Sequence, residues 1–355
     1  MKKLIVLSLI ILAGSLSLKG QRKIINLPDL QGYVTLKCDF HMHTVFTDGN
    51  VWPTYRLSDS VLDCLNAFAI TDHIEYSPKK DYIPVDHNAA WKITETLAKE
   101  SNVILVHAAE ITRKMPPGHL NALFIQDAAL IVKDSVYDAI EAAVKQGAFI
   151  QWNHPGWKSQ EPDGIPKLYD LHTRLLKNGW INGIEFFNNS EYYPVVLDWC
   201  IKYNLAVIGN SDVHGIISET YQAPLNTHRP MTLVFAKERT SASLKEALFA
   251  GRTLVWAGDL LGGKEEFAKP FFYQCISVGK PYYDNKKNTY FEVTNNSDIP
   301  FYLINGPAGA PASITLTARA ITRIVLDKKF SAPLVYDVRN VMTGEKSVLR
   351  VELEY

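Results

Sequence analysis

Histidine and carboxylate residues recur along the chain near the ends of predicted β-strands, where their side chains can converge on metal ions. A His-x-His pair, His41 and His43, lies on extended chain just after the first strand, so both imidazoles point to the same side. Imidazole and carboxylate ligands suit Zn, Mn and Fe(II), and a bridging carboxylate can hold two such ions. The further candidates are Asp48, His73, Glu110, His119, His154, Asp212 and His214. No thiolate belongs to this set, which argues against a closed structural zinc site.

One His-x-His pair alone is weak support for a metal site, because a histidine after a strand more often belongs to a turn or to the core. Here, however, successive strand ends along the chain carry His, Asp or Glu. A purely structural explanation would need all of these placements to be coincidental. The combined order therefore predicts a metal centre.

The elements that must position these residues alternate between strand and helix from Tyr33 to Gly258. Short apolar strands are predicted at 33–38, 67–71, 103–107, 120–125, 148–152, 183–187, 206–209 and 231–236. Helical patterns are predicted at about 54–66, 87–101, 135–146, 166–178, 193–203 and 241–250. This alternation predicts an α/β domain with a largely parallel sheet, and its roughly seven units favour a barrel. The loops at the carboxyl ends of the strands would then meet at one mouth.

The pattern changes near Leu260–Pro270, after which the chain shows short alternating strands without a helical period. These strands are expected at 271–278, 290–294, 301–304, 314–317, 322–326, 334–340 and 347–354. Such a succession indicates a separate all-β sandwich. We therefore expect a metal-binding domain over residues 21–260 and a sandwich of open role over residues 265–355.

Residues 1–20 have the pattern of a secretory signal peptide, in which Lys2 and Lys3 precede an apolar run from Leu4 to about Ala13. The run is shorter than the roughly 20 apolar residues that a spanning helix needs, so a permanent anchor is the weaker interpretation. We expect a periplasmic or secreted protein without stable membrane insertion after cleavage. The 37 basic and 37 acidic residues balance, which gives no long-range attraction to nucleic acid.

The first domain resembles the PHP superfamily, named for polymerase and histidinol phosphatase domains, over about residues 33–258. The likeness rests on these motifs in the family's order: Asp39-Phe-His41-Met-His43 with Asp48, Thr71-Asp72-His73, Glu110, His119, Asn153-His154-Pro155 and Ser211-Asp212-Val-His214. The resemblance implies a distorted seven-stranded (β/α) barrel that hydrolyses phosphoesters with the help of divalent metals.

The resemblance also implies three positions for Mn, Zn or Fe ions. The first would use His41, His43, Glu110 and Asp212, the second Glu110, His119 and His154, and the third Asp48, His73 and His214. Many family members have His where this chain has Asp48, so either two or three ions are expected. The positive cluster would attract phosphate, and a metal-bridging hydroxide would attack it, with Asp212, His214 and Glu110 as catalytic candidates. Asp39 and Asp72 are expected to orient the imidazoles.

Side chains outside the ligand set are candidates to bind the substrate. Arg113 lies three residues beyond Glu110, and Arg229 lies in His-Arg-Pro just before a strand. Both suit bidentate phosphate binding, although an ordinary surface role stays open for each. Four aromatic residues in predicted loops could flank a ring-bearing substrate or simply pack: Trp52, Tyr76, Trp157 and Tyr192. The other histidines are expected outside the site: His107 packed in the barrel, His87 and His172 at the surface, and His228 in a loop.

The function favoured by these features is hydrolysis of a phosphomonoester or phosphodiester of a small metabolite. A nuclease is a second hypothesis, although the chain lacks a basic stripe. A non-enzymatic metal-bearing module for glycan or protein binding is a third, and the complete ligand set argues against it. Hydrolysis of another kind of bond is a fourth. The native metal, the leaving group and the oligomeric state stay open.

Overall fold

The computed structural model describes residues 24–221 and 228–355, so the expected signal peptide lies outside the described residues. The strands of the first domain are β1 (Val34–Asp39), β2 (Ala67–Ile70), β3 (Ile104–Ile111), β4 (Leu120–Leu123), β5 (Phe149–Trp152), β6 (Gly183–Asn188), β7 (Glu191–Tyr192), β8 (Ala206–Asn210), β9 (Met231–Ala236), β10 (Thr253–Ala257) and β11 (Leu260–Gly263). Its helices are α1 (Pro53–Leu62), α2 (Ala89–Glu100), α3 (Val136–Lys145), α4 (Asp170–Lys177), α5 (Val195–Lys202), α6 (Ile217–Thr220) and α7 (Ser241–Phe249).

The strands of the first domain curl into a distorted barrel in the order β9-β1-β2-β3-β4-β5-β6-β8. The β1–β2, β2–β3, β5–β6 and β6–β8 pairs are parallel, whereas β4 and β9 run antiparallel to their neighbours. This arrangement confirms the predicted α/β barrel. It also explains the buried, almost continuously apolar strands, because parallel strands in a barrel are covered on both faces.

Side chains join β8 to β9 and β10. The Thr232 hydroxyl donates to the Gly209 carbonyl and accepts from the Gly209 amide, both at 2.9 Å. The Thr253 hydroxyl accepts from the Val207 amide at 2.9 Å. Glycine is required at this close approach, since a Cβ on Gly209 would lie 2.3 Å from Val255 Cγ1.

The second domain begins with a helix and continues as a β-sandwich, which confirms the predicted fold class. Its elements are α8 (Glu265–Cys275), β12 (Ile276–Val278), β13 (Tyr283–Asp284), β14 (Asn288–Asn295), β15 (Phe301–Ile304), β16 (Ile314–Leu316), β17 (Ile321–Asp327), β18 (Val335–Gly344) and β19 (Ser347–Glu352). One sheet contains β12, β13, β14 and β17, and β15, β16, β18 and β19 form the other layer.

The sandwich is joined to the barrel by main-chain pairing and by a common core. Strand β11 pairs in parallel with β18, so the sheet of the barrel continues into the sandwich. One hydrophobic cluster runs from Phe68 and Leu233 in the barrel, through Phe271 on α8, to Phe291 and Val338 in the sandwich. Full burial of such a side chain contributes about 1.5–3 kcal/mol, so the two parts stabilise each other. The predicted sandwich therefore follows the barrel and shares a continuous sheet and a common core with it.

Two local predictions are wrong. The predicted strand 271–278 is mostly helix, because α8 continues through Pro270 to Cys275 and turns Phe271 and Phe272 into the core. His172 is fully buried rather than at the surface, since its ring stacks on Trp152 at 3.9 Å and its Nε2 contacts the Pro117 carbonyl at 2.8 Å. In the described part of the chain, we find no helix with the length and apolar character of a membrane span.

Candidate metal centre

The His-x-His pair lies directly after β1, on extended chain that is hydrogen-bonded to the loop after β8. Met42 forms an isolated parallel bridge with Val213, and the His43 amide donates to the Val213 carbonyl at 3.0 Å. Both imidazoles are completely buried, and their centroids are 5.1 Å apart. The alternation of side chains along extended backbone thus brings His41 and His43 to one side, as their spacing predicts.

Asp48 lies in the loop after β1, and the other ligand candidates come from other barrel strands or their ends. His73 follows β2, His119 directly precedes β4, His154 follows β5, and Asp212 and His214 follow β8. Glu110 lies inside β3 rather than after it, because β3 continues to Ile111. Two of these residues have left-handed backbone, His154 at φ 25° and Asp212 at φ 51°. Such conformations cost free energy in residues other than glycine and concentrate at functional sites.

The Glu110 carboxylate lies at the centre of the cluster and is completely buried. Its two oxygens approach five imidazoles: His41 Nε2 at 3.4 Å, His43 Nε2 at 3.7 Å, His73 Nδ1 at 2.6 Å, His119 Nδ1 at 3.1 Å and His154 Nε2 at 3.8 Å. A carboxylate in this position can bridge ions on both sides of it.

The donor atoms fall into four overlapping groups, within each of which they lie no more than 4.8 Å apart. The groups are His41, His43 and Asp212; His41, Glu110 and His154; His73, Glu110 and His119; and His43, Asp48, His73 and His214. The first and last resemble the first and third positions implied by the family. The ligands implied for the second position fall into two different groups. Glu110 and His119 are grouped with His73, whereas Glu110 and His154 are grouped with His41.

The chemistry of these donors fits bound divalent cations. Several buried donor atoms have no hydrogen-bond partner among the described residues, including His41 Nε2, both ring nitrogens of His43, Asp48 Oδ1 and Asp212 Oδ1. A buried polar atom left unpaired costs free energy, and it is rare unless an ion, a water or a ligand satisfies it. Six of the twelve such atoms in the described part of the chain belong to five of the predicted ligands, so the residues present fit a metal cluster.

The electrostatics of the cluster keep its carboxylates ionised. Burial alone would raise the pKa of Asp212, but His41 and His43 hold it well below its usual range. Burial would likewise raise the pKa of Glu110, but the neighbouring histidines, led by His73, lower it. Burial and the adjacent His73 lower the pKa of His43 to about 3, so that its ring is neutral and one ring nitrogen has a free lone pair. Ionised carboxylates and neutral imidazoles are the forms that bind metals.

Glu185, on β6, contacts the cluster from behind and was not identified from the sequence. It is completely buried, and its Oε1 lies 2.9 Å from His41 Nδ1. Its Oε2 accepts from the His154 amide at 2.6 Å, and Oε1 accepts from the Asn210 side chain at 2.9 Å. A carboxylate behind a ligand imidazole fixes the orientation of the ring and raises its basicity. The available signal was one acidic residue within the apolar strand Gly-Ile-Glu-Phe-Phe.

Asp39 and Asp72 hold the loops rather than the imidazoles, which corrects the expected role. Asp39 accepts from the amide and hydroxyl of Ser211, directly before Asp212. Asp72 accepts from the Thr44 amide at 2.7 Å and from the Thr44 and Thr47 hydroxyls. Both carboxylates therefore position ligands through the main chain.

Arg56, on α1, performs a similar task and was also missed. It is completely buried, and it donates to the carbonyls of His43 at 2.9 Å, Val213 at 3.1 Å and Gly215 at 2.8 Å. These contacts tie the loop after β1 to the loop after β8. No sequence pattern distinguishes such a buried arginine from one on the exposed face of a helix.

The two arginines predicted to bind substrate lie elsewhere. Arg229 is completely buried and forms ion pairs with Asp39 at 3.1 Å and Asp63 at 2.9 Å, so it belongs to the core. Arg113 forms an ion pair with Glu75 at 2.7 Å and donates to two main-chain carbonyls just before α3. Neither residue lines the cavity at the metal cluster. The carboxylates and carbonyls beside the two guanidinium groups compete with a phosphate for them. The local sequence does not reveal these neighbours.

A cavity of about 260 Å³ opens over the cluster. Seven of the predicted ligands line it, namely Asp48, His73, Glu110, His119, His154, Asp212 and His214. The rest of the lining comes from Tyr76, Thr112, Trp157 and Asn189. Among the described residues, no Lys or Arg contributes to the wall, so cations bound by the cluster would be the main attraction for an anionic substrate.

Comparison with known proteins links both domains to one solved structure. A two-domain protein from Bacteroides vulgatus ATCC 8482, which contains a predicted PHP-like metal-dependent phosphoesterase, is 37% identical with a TM-score of 0.91. The match covers 94% of this chain and 99% of that one. A family model described as an Ig-like domain matches residues 276–354. A search of curated proteins found no match.

Two more distant structures overlap only parts of the chain. A metal-dependent phosphoesterase candidate from Bifidobacterium adolescentis is 17% identical, with a TM-score of 0.40, over 50% of this chain and 87% of that one. A lesion-specific endonuclease from Pyrococcus furiosus is 14% identical, with a TM-score of 0.41, over 65% of this chain and 59% of that one. Similarity at this level does not bear on the reaction.

Proposed function

The chain belongs to the PHP superfamily of metal-dependent phosphoesterases, and we propose that it hydrolyses a phosphate ester of a small metabolite in the cavity above its His/Asp/Glu cluster. The observation that supports this most strongly is the set of buried donor atoms on the predicted ligands that have no hydrogen-bond partner among the described residues. These atoms face one another in overlapping groups of three or four, as a binding site for several ions requires. Two or three ions of Mn, Zn or Fe are consistent with imidazole and carboxylate donors.

When bound, divalent ions lower the pKa of a water and stabilise the charge that develops on phosphate oxygens. The protein's contribution is to hold the donor atoms in place. Glu110 would bridge, because its carboxylate is buried and central. Asp212 and His214 are more accessible, with side chains 17% and 37% exposed, and they are the proposed groups for moving a proton at the substrate.

The decisive experiment compares a phosphomonoester and a phosphodiester as substrates for purified protein loaded with Mn. We expect the wild type to cleave at least one of them, and the Glu110→Gln variant to lose both activity and bound metal. Glu141→Gln is a matched control, because it makes the same exchange at a half-exposed position on α3. Protein with its full metal content that cleaves neither ester would contradict the proposal.

A nuclease remains the second candidate, and the cavity argues against it. Proteins that bind nucleic acid neutralise several backbone phosphates with Lys or Arg. The described wall of this cavity has neither, and its volume of about 260 Å³ is small. A nuclease would be recognised by cleavage of single-stranded DNA or RNA at a rate above that for the small esters.

The proposed division of labour places hydrolysis in residues 21–260 and leaves the sandwich, residues 265–355, as a supporting or binding domain. Export to the periplasm or the medium is proposed from the sequence of residues 1–20. Fractionation of cells that express the full chain would test this location, and retention of an unprocessed protein in the cytosol would contradict it.

A further inference from the structure

Two aromatic side chains stand beside the metal cluster and keep much of their surface exposed to the cavity. Tyr76 and Trp157 line it, and they are 49% and 37% exposed. Tyr76 contacts the edge of His73, with ring centroids 5.7 Å apart. Trp157 lies 5.3 Å from His154 and 5.6 Å from His119. Packing against the ligands therefore uses only part of each ring.

These two rings lie at the ends of a row of ligands. His73 and His119 have centroids 5.8 Å apart, and His119 and His154 have centroids 4.9 Å apart. Tyr76 adjoins the first member of the row, and Trp157 adjoins the last two. A group attached to a phosphate at the cluster would therefore pass beside one or both aromatic faces on its way to solvent.

The other exposed aromatic residues near the mouth have different surroundings. Trp52 packs on Phe46 at 5.6 Å, and Tyr192 packs on Phe186 at 5.1 Å. Neither of them lines the cavity. Trp52 is as exposed as Tyr76, at 49%, so it offers a matched control for the loss of an exposed ring.

The size and polarity of the cavity limit what the aromatic residues can meet. Its volume of about 260 Å³ lies below the roughly 300–1,000 Å³ of sites that enclose drug-sized ligands. There is room for a phosphate and one ring rather than for a large or polymeric group. In the described wall, the groups beyond the metal ligands are the two aromatics, Thr112 and the exposed amide of Asn189. This lining suits an uncharged ring.

We propose that the preferred substrates are phosphate monoesters whose leaving group carries a single uncharged ring, which stacks against Trp157 and Tyr76. The inference rests on the proposed phosphoester hydrolysis. In that reaction the oxygen of a water bonds to phosphorus, the bond from phosphorus to the leaving oxygen breaks, and a proton from the water passes to that oxygen. Inorganic phosphate and a ring-bearing alcohol are the products.

The test compares ligands that differ in the ring but share the phosphate chemistry. Benzyl phosphate and propyl phosphate both release a primary alcohol and serve as substrates. Benzylphosphonate and propylphosphonate resist hydrolysis and serve for calorimetric binding to Mn-loaded protein. Because aromatic contacts are each modest, we expect the benzyl compounds to bind about tenfold more tightly and to have a correspondingly lower KM. Trp157→Leu or Tyr76→Leu removes most of this preference, measured as the ratio of kcat/KM for the benzyl and propyl esters, whereas Trp52→Leu preserves it.

The outcomes separate this inference from the proposed reaction. Hydrolysis of both esters without a ring preference, or with a preference that survives both cavity variants, overturns the inference and leaves the phosphoesterase proposal standing. Binding of the phosphonates with the expected ring preference but no hydrolysis of either ester supports the aromatic site and overturns the proposed reaction. Failure of metal-loaded protein both to bind either phosphonate and to cleave either ester overturns both.

Discussion

Replacement of Arg229 by Met should destabilise the protein strongly and should not act through substrate binding. The guanidinium is completely buried between two carboxylates, Asp39 and Asp63. Methionine fills much of the same space but leaves both carboxylates without this cation. Asp39 also holds the Ser211 amide and hydroxyl, directly before Asp212. The variant therefore weakens the core and the loop that carries a candidate ligand.

The magnitude follows from the burial of the pair. Removal of one partner from a buried ion pair costs about 3–5 kcal/mol, because it leaves an uncompensated charge. Arg113 supplies a matched comparison, since its ion pair with Glu75 is partly exposed, with side chains 22% and 23% accessible. A pair with that much solvent contributes about 0–1 kcal/mol. We expect Arg229→Met to lower the free energy of unfolding several times more than Arg113→Met.

The deficit should grow as the pH rises. Burial raises the pKa of Asp39, and Arg229 opposes that rise, so the pKa of Asp39 is higher still in Arg229→Met. A carboxyl whose pKa is higher in the folded than in the unfolded state binds more protons when folded. Its folded state therefore loses stability as the pH rises from the unfolded pKa, about 3.9, toward the folded one. Relative to wild type, the variant should lose more stability at pH 8 than at pH 5.5.

Urea unfolding, followed by fluorescence at both pH values, measures these differences for wild type and both variants. Michaelis constants for a cleaved ester provide the second readout. The reasoning is refuted if Arg229→Met unfolds at the wild-type urea concentration while its KM rises tenfold or more. That result would instead assign Arg229 to phosphate binding, as its position in the sequence suggested.

Three further predictions concern the metal centre. Glu185→Gln should weaken metal binding about 10–100-fold, because the His41 imidazole beside it is held less firmly in its orientation. A chelator competition that gives the wild-type affinity for the metal would argue against this role. Gly49→Ala should displace the loop that carries Asp48, because the new Cβ would lie 2.4 Å from the main-chain carbonyl carbon of His43. Elemental analysis should then show less bound metal, and full metal occupancy would contradict the expected displacement. Metal binding at pH 7.5 should release protons. Glu110 and Asp48 outweigh burial and raise the pKa of His73 to about 10, so this ring is protonated in the metal-free protein and must lose its proton to bind an ion. A heat of binding that does not depend on the ionisation enthalpy of the buffer would refute this prediction.

The sequence contains enough information to predict the fold class and the family. Strand–helix alternation reflects a physical requirement, since each buried strand of a parallel sheet needs a crossover to reach the next one. The His-x-His spacing places His41 and His43 on one side through the geometry of extended chain alone. Local patterns were less reliable where long-range packing decides, as in α8, where a helix containing Pro270 packs Phe271 and Phe272 into the shared core.

The neighbours of each side chain were decided by the tertiary structure. Arg113 and Arg229 are both arginines of a type that suits phosphate, but Arg229 meets Asp39 and Asp63 from distant segments and becomes part of the core. Glu185 lies far from His41 in sequence, and the barrel brings them to 2.9 Å. A sequence motif shows which metal-binding groups the chain contains and on which side of the backbone they lie. Burial and the competition among charged groups depend on segments that meet only when the barrel closes, so no local pattern reveals them.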